Sequence, residues 1–166
     1  MVKNSSKNHE NRIHEIKLTL LFTEQDKNIQ ELFSSPNLTL DELEEAVNVN
    51  VKARNYGSNF TNMYAFSKAA LCSLTMIHGK AYPNLKVVSV SPGFVATPMT
   101  KGFGAKATAE QGCVSIIKCL FAPVTSGYFY GSDGLRSPLT ISRDPGTQEY
   151  KGEENPDPAK YSIKYV

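Results

Sequence analysis

The stretch that decides the fold runs from Thr61 to Thr97 and reads TNMYAFSKAALCSLTMIHGKAYPNLKVVSVSPGFVAT. Its first part, residues 61–81, is rich in Ala, Leu and Met, and an apolar stripe at helical spacing comprises Phe66, Ala70, Leu74 and Ile77. This pattern predicts a helix that ends before Pro83. The β-branched run at residues 85–90 predicts a buried strand, which should stop at Ser91-Pro92-Gly93.

The flanking segments continue the alternation of helices and strands. Thr39 and Glu42 form a capping box that starts a helix over residues 40–53, whose apolar face comprises Leu40, Leu43, Val47 and Val51. Downstream, a Gly, Pro and Thr loop over residues 94–106 leads to a helix from Thr108 to Leu120, and residues 127–131 form a short strand. The order predicts an α/β fold with a parallel sheet and flanking helices.

Two terminal segments are less defined. Residues 16–22 are apolar but too short to be assigned to helix or strand. From Asp144 onward, three prolines and many charges predict a loose or draped tail. The expected division is therefore a domain over residues 1–143 and a tail over residues 144–166.

Composition excludes several classes of protein. With 166 residues, 40% hydrophobic and 20% charged, the chain suits one compact domain. The net charge of +2 is scattered, so nucleic acid is not an expected partner. No apolar run approaches a membrane span, and the polar start lacks a secretory h-region, which predicts a cytoplasmic protein. The three cysteines, Cys72, Cys113 and Cys119, form no C-x-x-C pair. We expect them to be reduced and buried, and we expect no metal site.

Tyr64 and Lys68 are the candidate reactive pair. Four residues apart in the expected helix, they project from one face, where a phenol can exchange a proton and an ammonium can stabilise a phenolate. A free phenol has a pKa near 10, and lowering that to about 7 takes roughly 4 kcal/mol. Chance alone gives ~0.7 such spacings in this composition. Tyr82 and Lys86 share the spacing but have Pro83 between them, which prevents a shared helical face.

The motifs around this pair resemble the short-chain dehydrogenase/reductase family. Tyr64-Ala-Phe-Ser-Lys68-Ala, a strand, and Pro92-Gly-Phe-Val-Ala-Thr97 follow in the family's order. The helix over residues 40–53 and the Thr108-Ala-Glu-Gln-Gly start are similar to the monomeric carbonyl reductase branch, which includes menthone and salutaridine reductases. The resemblance covers residues 29–134. It implies a Rossmann-like parallel sheet with flanking helices.

The resemblance also implies roles for individual residues. Tyr64 would donate a proton to the carbonyl of a small-molecule ketone or aldehyde, and Lys68 would lower the pKa of that phenol and bind the nicotinamide ribose of NADPH. The residues expected to line the nicotinamide are Pro92, Gly93, Val95 and Thr97. Val2-Lys-Asn-Ser5-Ser6 is similar to the family's Val-Asn-Val-Ser-Ser strand, which would make Ser6 the catalytic serine; the alternative is a serine in a frayed terminus.

The family's glycine-rich phosphate turn has no counterpart upstream of Tyr64. The stretch from Gly102 to Ala107 matches G-x-G-x-x-A but follows a loop rather than a strand, so we do not expect it to bind phosphate. The expected fold is thus truncated in its N-terminal cofactor half. Two functions stay open: an NADPH-dependent carbonyl reductase or alcohol dehydrogenase, and a non-catalytic remnant or protein-binding module that self-associates through an uncovered sheet.

Overall fold

A computed structural model describes residues 27–53, 60–141 and 143–163. Its helices are α1 (Lys27–Ser34), α2 (Leu40–Ala53), α3 (Phe60–Ala81), α4 (Ala109–Phe121) and α5 (Pro158–Tyr161), and a 3₁₀ turn covers Pro98–Thr100. Its strands are β1 (Ser89–Val90), β2 (Phe129–Tyr130) and β3 (Arg136–Ser137). The predicted helices at residues 40–53, 61–81 and 108–120 are confirmed. The predictions for residues 16–22 and for Ser6 lie outside the described residues.

The three strands form one mixed sheet in the order β1-β2-β3. β1 and β2 are parallel, with Ser89 opposite Phe129, and β3 returns antiparallel to β2. This arrangement confirms an α/β, Rossmann-like fold class with a parallel pair. The antiparallel strand β3 was not predicted.

The strand predicted over residues 85–90 is shorter than expected, because side chains replace part of its ladder. The Val87 amide donates to Ser126 Oγ at 2.8 Å, and Ser126 Oγ donates to the Leu85 carbonyl at 3.0 Å. Only Ser89–Val90 pairs as regular strand. One serine hydroxyl therefore satisfies two backbone groups that a longer strand would have paired.

The helical core lies where α1 and α2 pack on α3. Its buried members are Phe33, Leu38, Leu43, Ala65 and Ala69, and the predicted stripe of Phe66, Ala70, Leu74 and Ile77 packs against them. The predicted face of α2 is only partly right. Leu43 is buried, but Leu40 and Val51 are exposed, and Asn50 is buried with its amide donating to the Ala46 carbonyl at 2.8 Å. Leu43, Ala46 and Val47 form the narrow stripe of α2 that packs on the core.

Helices α3 and α4 lie on opposite faces of the sheet. Phe129 is the register partner of Ser89, whose side chain contacts Cys72 of α3. The next residue, Tyr130, lines a cleft together with Lys118 of α4. Because successive strand residues face opposite sides of a sheet, the two helices cover different faces.

Residues 144–163 are draped over the domain and anchored at two points. Tyr161 is 1% exposed, and its carbonyl accepts from the Asp144 amide at 2.7 Å. The buried Arg143 guanidinium forms an ion pair with Asp133 and donates to the Thr147 carbonyl at 3.0 Å. Burial by itself raises the pKa of Asp133, but the hydrogen bonds from Arg143 and from two backbone amides outweigh it, so that pKa is lowered. The proposed boundary at residue 143 stays a prediction.

The cysteine prediction holds in part. All three are free thiols, and Cys72 is buried, whereas Cys113 is exposed because α4 turns only one side toward the sheet. Among the helices of the described ranges, none is long and apolar enough to span a bilayer.

Candidate functional site

Tyr64 and Lys68 lie together on α3, as their spacing predicts. Lys68 Nζ is 5.3 Å from the centroid of the Tyr64 ring, close enough for a cation–π contact. Tyr64 is 42% exposed and Lys68 is also exposed. Both side chains therefore lie on the solvent-facing side of the helix.

The packing of α3 fixes which end of the sheet this pair occupies. A Cβ at Gly79 would lie 2.5 Å from the Gly127 amide nitrogen, so the end of α3 lies against the segment that starts β2. About two turns earlier, Cys72 contacts Ser89 in β1. The helix is therefore antiparallel to the strands, and Tyr64 lies toward the carboxyl end of β1.

The rise per residue puts Tyr64 level with the loop after β1. Eight helical residues separate Tyr64 from Cys72, a distance of about 12 Å. Gly93 follows Ser89 by four residues, which span at most about 13 Å. Tyr64 and Gly93 thus lie about equally far beyond the Cys72–Ser89 contact, at the edge where open α/β sheets bind ligands.

The Cys72 thiol is buried where it contacts Ser89, and its role is structural. Burial raises the pKa of the Cys72 thiol, and the hydrogen bond with Ser89 offsets only part of that effect. A buried thiol with a raised pKa is a poor nucleophile. Cys72 therefore positions α3 on β1 rather than taking part in chemistry.

Glycine is required at the turn that follows β1. Gly93 has a φ of +79°, and a Cβ there would lie 3.0 Å from Ser132 Cβ. Its amide donates to Ser91 Oγ at 3.2 Å. Pro92 and Gly93 are both exposed, so the turn presents backbone to solvent.

The rest of this loop is held by local hydrogen bonds. Thr97 caps the 3₁₀ turn: its amide donates to Thr100 Oγ1 at 2.8 Å, and Thr100 Oγ1 also donates to the Val95 carbonyl at 2.7 Å. Val95 pairs with Ala107 as an isolated bridge. Val95 and Thr97 are therefore fixed in place on the loop, with the Thr97 hydroxyl engaged by Thr100.

Two residues of α4 that the sequence analysis did not single out support the loop. Ser115 is fully buried, and its hydroxyl donates to the Ser91 carbonyl at 2.9 Å. A Cβ at Gly112 would lie 2.6 Å from Val95 Cγ2. A glycine within a helix is a sequence signal of close approach, so Gly112 could have been found; nothing distinguishes Ser115 from a surface serine.

The fold therefore places only some of the predicted site residues near one another. Tyr64, Lys68 and the loop from Pro92 to Thr97 share one edge, while Ser6 lies outside the described residues. Gly102 and Gly104 have positive φ values and open space around them, which makes them turn glycines. Within the described ranges, no group of three or more His, Cys, Asp or Glu side chains is arranged to hold a metal ion.

The comparisons with known proteins identify the family of this chain. The family model for short chain dehydrogenases matches residues 1–108, which contain Tyr64, Lys68 and the loop as far as Thr97. The chain belongs to the short-chain dehydrogenase/reductase family, a family of oxidoreductases.

Individual relatives share the branch that the motifs indicated. A (+)-neomenthol dehydrogenase of Arabidopsis thaliana is 30% identical over 110 residues, which are 60% of this chain and 36% of the relative. A salutaridine reductase of Papaver bracteatum is 32% identical over 101 residues, 60% of this chain and 31% of that one. A short-chain dehydrogenase/reductase of Saponaria officinalis is 36% identical over 73 residues, 43% and 24% of the two chains. The matched regions thus make up about a quarter to a third of these relatives.

The family uses a nicotinamide cofactor, and the described residues fit one end of it. Tyr64 and Lys68 offer an accessible hydroxyl and ammonium, and Gly93 leaves the neighbouring turn without a side chain. The pyrophosphate would need a glycine-rich turn between a strand and a helix, and the described ranges contain none. The residues expected at the ribose and nicotinamide therefore stay a prediction.

Proposed function

We propose that this chain carries the reactive residues of an NADPH-dependent carbonyl reductase, acting on a small ketone or aldehyde or on the alcohol in reverse, in the cytoplasm. The observation that carries the proposal is the placement of the Tyr64 ring and Lys68 Nζ, 5.3 Å apart, at the carboxyl edge of β1. The relatives named as a dehydrogenase and as a reductase support hydride transfer in either direction.

In this proposal, bound NADPH supplies the hydride. The Tyr64 hydroxyl donates its proton to the carbonyl oxygen of the substrate, and the Lys68 ammonium stabilises the phenolate that remains. Lys68 also holds the ribose. In the reverse direction Tyr64 accepts the proton from the alcohol.

In this proposal the loop over residues 92–97 positions the nicotinamide and takes no part in proton transfer. Pro92 and Gly93 present backbone beside the reacting carbon, and Val95 and Thr97 line the nicotinamide. Ser115 and Gly112 hold this loop from behind through the Ser91 carbonyl and Val95. Ser6 completes the proposal as the hydroxyl that stabilises the developing oxyanion.

Titration with NADPH, followed by turnover with neomenthol and NADP⁺ and with a panel of ketones and aldehydes, tests the proposal. We expect saturable quenching or enhancement of nucleotide fluorescence. In Tyr64→Phe we expect NADPH affinity within about threefold of the wild type and a fall in kcat of at least about 100-fold, since general acid catalysis contributes about 10²–10⁴.

The matched control is Tyr82→Phe, because Tyr82 has the same spacing to a lysine but lies beyond the end of α3 and is 51% exposed. It should retain full turnover. Turnover that survives in Tyr64→Phe, or that falls equally in both variants, contradicts the assignment of Tyr64. Lys68→Met should weaken NADPH binding as well as turnover.

A second candidate function, a protein-binding or self-associating module, is favoured by the apolar surface of α4. Ile117, Leu120 and Phe121 are 53%, 70% and 84% exposed. Within the described ranges, β1 pairs on one edge only, with β2. Sedimentation velocity separates the candidates: a dimer that Leu120→Glu dissociates supports the module, and a monomer with NADPH binding supports the enzyme alone.

A further inference from the structure

A cleft of about 450 Å³ lies on the α4 side of the sheet, away from α3 and its Tyr64–Lys68 pair. The cleft is lined by the end of α4 with Lys118 and by the segment Glu149–Lys151 of the tail. Tyr128, Tyr130 and Arg136 also line it. This volume falls within the range of small-molecule sites.

The central feature of the cleft is a clamped guanidinium. The central guanidinium carbon of Arg136 lies 3.5 Å from the centroid of the Tyr128 ring and 4.8 Å from that of Tyr150. Among the residues that the structure describes, its side-chain nitrogens make no hydrogen bond and no ion pair. Gly152 lies beside this group, since a Cβ there would be 3.4 Å from Arg136 Nη1 and 3.5 Å from Nη2. A guanidinium packed on aromatic rings with unpaired donors can bind a carboxylate or phosphate through two oxygens.

The charges around Arg136 favour an anion. Among the lining residues, Lys118, Arg136 and Lys151 are positive and Glu149 is negative, which leaves two net positive charges. The Glu153 carboxylate lies next to the cleft and accepts from the Lys151 amide at 3.1 Å. Glu149 is already engaged, because Lys151 Nζ donates to it at 2.6 Å and the Arg136 backbone amide donates to it at 3.3 Å. Lys118 Nζ donates to the neutral Asp133 carbonyl at 2.7 Å and so keeps its charge uncompensated.

The other residues that line the cleft favour a ligand with a flat apolar part. Besides the tyrosines, the cleft is lined by Ala122, Pro123, Val124 and Leu135. An aromatic ring can pack against these side chains while its acidic group reaches Arg136. An inorganic anion alone would leave that apolar surface in contact with water.

We propose that this cleft is a second binding site, for a small aromatic oxyanion whose carboxylate or phosphate is held by Arg136. The site is independent of the proposed reductase activity, because its residues lie on the other face of the sheet from Tyr64. Arg136 supplies the paired hydrogen bonds, Lys118 adds charge, and Tyr128 and Tyr150 fix the guanidinium plane.

Calorimetric titration of the 166-residue chain with benzoate, phenyl phosphate and benzyl alcohol tests the site. We expect saturable binding of at least one anion, and the tighter of the two identifies the oxyanion. Benzyl alcohol, which keeps the ring without the charge, should bind at least tenfold more weakly. Arg136→Gln should weaken the anion by about 10- to 100-fold, and Arg136→Lys should recover little of that loss because an ammonium lacks the planar fork.

The control is Lys80→Gln, which removes a positive charge from the exposed end of α3. Anion binding that is unchanged in Arg136→Gln, or that weakens equally in Lys80→Gln, overturns the proposal. Should Arg136→Gln fail to fold, the wild-type protein decides: the ring resonances of Tyr128 and Tyr150 must shift on titration with the anion. Absence of saturable binding by both anions, or of those shifts, also overturns it.

Discussion

Replacing Gly79 with alanine should disrupt the contact between α3 and the segment before β2, and so lower the stability of the protein. The added Cβ would lie 2.5 Å from the Gly127 nitrogen, 2.7 Å from its Cα and 3.1 Å from the Ser126 carbonyl carbon. All three atoms are backbone, so no side-chain rotation can relieve the overlap. The helix and the segment before β2 must separate instead.

Two opposing effects set the size of the change. Alanine in place of glycine within a helix stabilises it by about 1 kcal/mol. Overpacking costs about 1–3 kcal/mol when side chains can adjust, and a rigid backbone contact belongs at or above the top of that range. We therefore expect Gly79→Ala to lower the free energy of unfolding by about 2 kcal/mol.

Urea unfolding followed by circular dichroism measures this change, and Gly112→Ala provides the comparison. Gly112 also lies within a helix, but its Cβ would meet a side-chain atom, Val95 Cγ2, at 2.6 Å. The helix gain is the same and the overlap is easier to relieve, so Gly112→Ala should be destabilised less. A Gly79→Ala protein as stable as the wild type, or more stable than Gly112→Ala, would refute the close packing of α3 on this segment.

Three further predictions concern the loop, the start of α4 and the tail. Ser115→Ala removes a buried hydrogen bond to the Ser91 carbonyl and should lower the free energy of unfolding by about 1–3 kcal/mol in urea titrations. Thr108→Ala removes the N-cap of α4 and should cost about 1 kcal/mol by the same measurement. Because the pKa of Asp133 is lowered in the fold, its carboxylate stabilises the protein above the unfolded-state pKa near 4, and that stability is lost as pH falls below it. Urea midpoints should therefore fall below about pH 4 in the wild type, and Asp133→Asn should be less stable at neutral pH with a flatter acid decline.

Local chemistry explains which elements were predictable. Thr39 and Glu42 cap α2, and Thr108 and Gln111 cap α4, through hydrogen bonds between residues three apart. Such bonds depend only on neighbouring sequence, so the helix starts were predicted to within one residue. The strands were less predictable, because Ser126, about 40 residues away from residues 85–87, satisfies backbone groups that the β-branched run would otherwise have paired.

The candidate site likewise has one part that the sequence predicts and one part that it does not. The pairing of Tyr64 with Lys68 follows from helical periodicity, since residues four apart share a face in any helix. The support from Ser115 and Gly112 joins residues about 17 to 24 positions apart. The glycine within α4 signals a close approach but does not identify Val95 as its partner, and no local pattern marks Ser115. The roles of these residues in catalysis stay predictions that the Tyr64→Phe experiment tests.

The amino-acid sequence by itself determined helices α2, α3 and α4, the caps of α2 and α4, the Tyr64–Lys68 face and the family, because each depends on short-range spacing or on motifs in linear order. Helices α1 and α5 were not predicted. Only the tertiary structure decided the antiparallel strand β3, the burial of Tyr161 and the stacking of Arg136 between Tyr128 and Tyr150. These features depend on where distant segments meet. The free energy that holds them comes from packing and hydrogen bonds between segments, which residue-by-residue propensities do not contain.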